Sequence, residues 1–169
     1  LALSATISNS AEIAKWLDAA EVKSDYRPVK LYRGIAYPEE DGYKVTFPHT
    51  ERNYELSGGS CENAIVHDTL ERGKQILVFL SSRRNAESLA AKLSPLCAKF
   101  ITEKEEQLLQ GASREIMRAL PYPTKQCERL VQSLKAGVAF HHAGLASKQR
   151  SIVERLFREG SLKAITATP

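Results

Sequence analysis

Hydrophobic positions change their period several times along the chain, and each change predicts an element. Ile76-Leu77-Val78-Phe79-Leu80 is continuously apolar and stops at Ser81-Ser82-Arg83-Arg84, after which Ala86, Leu89, Ala90 and Leu93 recur at helical spacing. This predicts a parallel strand covered on both faces, a polar turn at its carboxyl end, and a helix that lays one face back on the sheet. From Lys125, Cys127, Leu130, Val131 and Leu134 form a second helical stripe ahead of the strand Val138-Ala139-Phe140. His141 to Leu145 is then a turn, and Ile152, Val153, Leu156 and Phe157 face inward from the helix after it. Gly73, Gly137 and Gly160 each stand between a helical stripe and an apolar strand, where a glycine ends a helix by adopting the left-handed conformation. The alternation predicts an α/β domain, an open parallel sheet with helices on both faces.

The remaining stretches read differently. Leu1 to Thr6 has a strand pattern, Asn9 with Glu12 marks a helix start, and Ile13, Ala14, Leu17 and Ala20 form a short stripe that places Trp16 in a core. From Val22 to Leu56 the pattern alternates and is broken by Pro28, Pro38 and Pro48. Val29 to Tyr32 and Tyr43 to Phe47 read as hairpin strands around a turn at Asp41-Gly42. Ser57-Gly58-Gly59-Ser60 leads into a helix with Ala64, Ile65 and Leu70 inward. Residues 94–123 carry Pro95, a charged run at Glu103 to Glu106, and Ile116-Met117, which predicts a helical insertion ending in a short helix. The first residues and the last, Ala164 to Pro169, fall inside strand patterns, so the chain reads as a piece of a longer protein.

Composition narrows the chemistry. With 24 Lys and Arg against 20 Asp and Glu, the formal charge of +4 permits nucleic-acid binding without requiring it. Three widely separated cysteines, Cys61, Cys97 and Cys127, indicate neither a disulfide framework nor a metal site, and fit buried thiols of a soluble cytoplasmic protein. No apolar stretch is long enough to span a bilayer. Ser81, Ser82, Arg83 and Arg84 occupy the carboxyl edge of the sheet, where such folds bind ligands, and they are donors suited to phosphate. The alternative is that both arginines are ordinary solvated residues of a first helical turn. His141 and His142 are adjacent, so they lack the spacing that sets two imidazoles on one helix face to hold a metal. Their turn, with Gly144, instead follows a strand and adds donors to the same edge, although a buried pair satisfied by backbone carbonyls fits the spacing equally well. No GxxxxGK[ST] phosphate loop, DExx tetrapeptide or GxSxG elbow occurs, so the chain alone has no means of turnover.

Four blocks in order carry a family likeness. Ser4-Ala5-Thr6, within LALSATISNSAEIAKWLDA, resembles motif III of superfamily 2 helicases; ILVFLSSRRNAESLA resembles motif IV; GVAFHHAGL resembles the next block; and Ile165 to Pro169 resembles the opening of motif V. The combination is similar to the Ski-type and archaeal Hjm-type DNA repair helicases, relatives of the polymerase-theta helicase. The resemblance implies that residues 1–21 end a first RecA-like domain and that 22–169 form a second one, truncated at motif V. It implies a part of an ATP- and Mg2+-dependent 3′-to-5′ DNA helicase of the cytoplasm and nucleoid, acting on single-stranded or forked DNA in repair or at stalled forks. Its partners would be the first RecA-like domain and C-terminal domains of the same chain. Ser4, Ala5 and Thr6 would couple nucleotide state to DNA grip, and Ser81, Ser82, Arg83, Arg84, His141, His142, Gly144, Thr166 and Thr168 would lie along the DNA path. A Ski-type RNA helicase fragment and a non-catalytic nucleic-acid-binding α/β module remain the alternatives.

Overall fold

Residues 7–24, 26–48, 50 and 52–169 are described by a computed structural model. The expected strand at Leu1 to Thr6, and with it Ser4, Ala5 and Thr6, lies outside the described residues. Contacts divide the chain into two units, Leu1–Arg33 and Gly34–Pro169. In the first, α1 (Ser10–Trp16) starts after Asn9, whose side chain makes no capping bond, and none of its residues is buried. Trp16 is 82% exposed, which corrects its expected place in a core. A helix of two turns covers an apolar face only by packing on a second surface, and the described residues of its own unit bury none of it.

The second unit begins with an antiparallel sheet of β1 (Ile35–Glu39), β2 (Gly42–Thr46) and β3 (Asn53–Leu56), in that order. The expected hairpin exists, but β2 pairs with Ile35–Glu39 rather than with Val29 to Tyr32. Pro38 is tolerated because β1 is an edge strand, where a missing N–H costs no ladder bond. α2 (Cys61–Glu71), capped by Ser60, brings Ala64 against Val45 and Leu56 to close a small core.

Everything else builds one parallel sheet and its helical cover. β4 (Ile76–Phe79), β5 (Val138–His141) and β6 (Ala164–Ala167) lie in the order β4-β6-β5. α3 (Arg83–Cys97) follows β4, then a 3-10 turn (Ala98–Phe100), α4 (Glu103–Met117) and α5 (Lys125–Lys135) lead to β5, and α6 (Ser147–Arg158) joins β5 to β6. α3 runs through Pro95 to Cys97, so that proline does not break it. The charged run is the first turn of α4, and Ile116-Met117 ends this fifteen-residue helix rather than lying on a short one. Thr102 Oγ1 accepts the Glu105 N–H (3.3 Å) and Glu105 Oε2 accepts the Thr102 N–H (2.9 Å), a reciprocal cap at the helix end that favours negative charge.

Side chains alternate across this sheet. Val138, Phe140, Ala164 and Thr166 face α3 and α5 and are buried, and Ala86, Leu89, Ala90 and Leu93 of α3 meet them as the helical spacing predicts. On the other face, Leu77 is 47% and Phe79 62% exposed. The expectation that both faces of this strand are covered is therefore corrected: β4 is an edge strand and only its α3 side is packed. All three cysteines are free, and burial pushes the Cys97 thiol up to about 12.

Candidate nucleic-acid interface

The parallel ladder carries on past the strands. Leu80 N–H donates to the Ala167 carbonyl (2.8 Å) and Thr168 N–H to the His141 carbonyl (3.2 Å), so Ser81, His142 and Thr168 emerge along one carboxyl edge. Ser82 caps α3, its Oγ accepting the Asn85 N–H at 3.2 Å, and Arg83 and Arg84 extend from the exposed first turn. The turn after β5 comes up beside Arg83. A methyl group on Gly144 would lie 3.5 Å from Arg83 Nη1 and 3.0 Å from His142 Nδ1, so the close approach, rather than an unusual φ, is what favours glycine here.

The two histidines part company. Successive residues in extended chain point to opposite faces, and His141 Nε2 meets Glu154 of α6 at 2.9 Å while His142 turns toward α3. The His142 ring is buried and stacks on Phe140, with centroids 5.4 Å apart and planes 9° apart. Its Nδ1 accepts the Gly144 N–H at 3.1 Å, which leaves the proton on Nε2 to donate to Glu87 Oε1 at 3.2 Å. His142 is thus the scaffold of the turn and not itself an exposed contact. Thr166, expected along the DNA path, is fully buried, and its hydroxyl donates to the Ala86 carbonyl at 2.8 Å, tying β6 to α3.

Glu87 was not singled out by sequence reasoning. It lies on α3 with a side chain 14% exposed, and beyond His142 it accepts from Gln126 Nε2 (2.8 Å) and Arg129 Nη2 (3.1 Å) of α5. An acidic residue next to the buried apolar stripe Ala86, Leu89, Ala90 was the available signal. Gln149 was missed too. Buried at the start of α6, it accepts the Ala146 N–H (3.2 Å) and donates to the Ile116 carbonyl (3.3 Å) and Cys127 Sγ (3.2 Å), which anchors the chain just after the turn.

Burial pushes the pKa of His142 below its ordinary 6.5; the bonded Glu87 carboxylate pulls it back up, and Arg83 and His141 add to the downward push. Above that pH the ring is neutral whether folded or not. Below it the unfolded chain takes the proton first, so stability falls until the folded ring titrates as well. Urea midpoints measured from pH about 7.5 to about 5 should fall more steeply for the wild type than for His142→Gln. Equal slopes would remove the buried neutral ring from the account.

Among the described residues, no three His, Cys, Asp or Glu side chains gather as metal ligands. A groove of about 460 Å³ between α4 and α5, lined by Arg114, Met117, Arg118, Val131 and Lys135 among others, belongs to the helical cover and not to the edge. No described helix is long and apolar enough to cross a membrane.

No family model matches the chain. Curated proteins do, over its entire length: it is 41% identical to the ATP-dependent DNA helicase Hel308 of Methanocella arvoryzae across 169 residues, all of this chain and 22% of that one. The chain is homologous to a segment of the Hel308 helicases. Hel308 of Thermococcus kodakarensis is 42% identical over 174 residues, and that of Pyrococcus horikoshii 40% identical over 173. The chain spans 14% and 22% of their lengths, respectively. Because the similarity to Hel308 runs the full length of this chain, it takes in both turns of the carboxyl edge.

Proposed function

We propose that this chain contributes to the motor of an ATP-dependent 3′-to-5′ DNA helicase acting in repair, and that the carboxyl edge of its parallel sheet grips the sugar-phosphate backbone of single-stranded DNA. The observation that carries the reading is the match to Hel308 over every residue of the chain. The edge supports it. Ser81, Arg83 and Arg84 are exposed donors at one strand end, beside the exposed Ala143-Gly144 turn of the next, and such a row follows phosphates without reading bases.

Residues 1–21 would close a first RecA-like domain, with Ser4, Ala5 and Thr6 coupling the nucleotide cleft to the grip, and residues 22–169 would belong to the second. The described residues offer neither a phosphate loop nor a carboxylate cluster that fits ATP with Mg2+, so no step through the nucleotide is assigned to them. ATP turnover would need other domains of the same protein. Its place would be the cytoplasm, at the nucleoid.

Fluorescence anisotropy of labelled oligothymidylate and oligoadenylate across a salt series tests the grip. Arg83→Ala with Arg84→Ala should weaken both strands by similar factors and flatten the plot of log affinity against log salt by about one unit per lost phosphate contact. An unchanged slope would return both arginines to the solvated face.

A further inference from the structure

Glu87 follows Arg83 by one helical turn, the spacing at which a glutamate and an arginine ordinarily pair. Here they do not: among the described ion pairs none involves Arg83. Both carboxylate oxygens are already engaged. Oε1 accepts from His142 Nε2 and Gln126 Nε2, and Oε2 from Arg129 Nη2, all within 3.2 Å. The donors come from α5 and from the turn after β5, so one carboxylate joins three parts of the domain. It also decides where the imidazole proton sits. An acceptor at Nε2 holds the proton there, which frees Nδ1 to take the Gly144 amide.

We propose that Glu87 is the positioning residue of this edge. Its carboxylate locks His142 in the tautomer that holds the Gly144 amide, and its engagement by Gln126, Arg129 and His142 leaves Arg83 available to a phosphate. The inference rests on the reading of the edge as a phosphate grip, and it makes a prediction opposite in sign to simple electrostatics. A carboxylate beside a phosphate track repels it, so deleting the charge alone would tighten binding. Deleting a positioning group weakens it.

The 169-residue chain and its Glu87→Ala and Glu87→Gln variants would be compared by anisotropy with fluorescein-labelled oligothymidylate and by nitrogen-15 NMR of the His142 ring. Glu87→Gln keeps an oxygen facing Nε2–H; it should keep the wild-type tautomer and bind at least as tightly. Glu87→Ala should show mixed tautomers and bind about tenfold more weakly despite losing a negative charge, a change equivalent to about 1.4 kcal/mol. Wild-type or tighter binding by Glu87→Ala, or an unchanged tautomer in it, overturns the proposal. Should the wild type not bind oligothymidylate at all, the phosphate grip fails. The ring signals then still decide whether Glu87 sets the turn, since a tautomer kept in Glu87→Ala rejects the role and a tautomer lost only there sustains it.

Discussion

Replacing Phe140 with alanine should lower the free energy of unfolding by about 3–5 kcal/mol, the usual cost of emptying a fully buried aromatic site. Phe140 has no exposed surface, sits in β5 between β6 and α5, and forms one face of the stack with His142. The loss should therefore register twice. Urea denaturation reports the stability, and the His142 ring signals should shift because the imidazole loses the surface against which it lies flat. A loss below about 1 kcal/mol would mean that the site collapses onto its neighbours and that the stack does not hold the turn.

Gly137→Val should be almost as damaging, and two other glycines supply its control. Gly73, Gly137 and Gly160 all end helices with φ of 66°, 80° and 81°, so valine at any of them adopts a left-handed backbone at a cost of about 1–2 kcal/mol. At Gly73 and Gly160 an added Cβ meets nothing within 4 Å. At Gly137 it collides with the Ile101 side chain, and forcing that residue aside adds about 1–3 kcal/mol. The expected result is about 2–5 kcal/mol for Gly137→Val and clearly less for the other two. Equal losses at all three positions would show that Ile101 yields freely.

That comparison also shows which parts of the fold were legible. The three glycines, the α3 and α5 stripes and the strand at Val138 depend on neighbours close in sequence, and they could be read from periodicity. Trp16 and Leu77 could not, because an apolar residue reveals that it suits a core and says nothing of whether a covering surface exists. The hairpin was placed correctly at Asp41-Gly42, but one strand was misassigned because Pro38 looked like a breaker, and only the sheet order reveals that β1 is an edge.

The candidate site was legible in outline and not in its wiring. Arg83, Ser82 and Gly144 were expected on one edge, and the structure brings them there. Glu87 joins partners 39 and 55 residues away, a link no local pattern carries. His141 and His142 were weighed as a pair because they are adjacent. Extended geometry separates them, giving one to Glu154 and the other to Glu87.

The strand order has a consequence for how the chain is made. Among the described strands, β4 and β5 share no ladder; each pairs only with β6, which comes after both in sequence. During synthesis these two strands emerge before the strand that joins them, and this ladder cannot zip until Ala164–Ala167 arrives to fill the gap between them. Ile76 must find Ala164, and closing so long a loop before any pairing rewards it makes assembly slow. Until then the nascent domain holds unpaired strand edges together with the apolar side chains of Leu77 and Phe79, the kind of surface that chaperones shield and that aggregates when they do not.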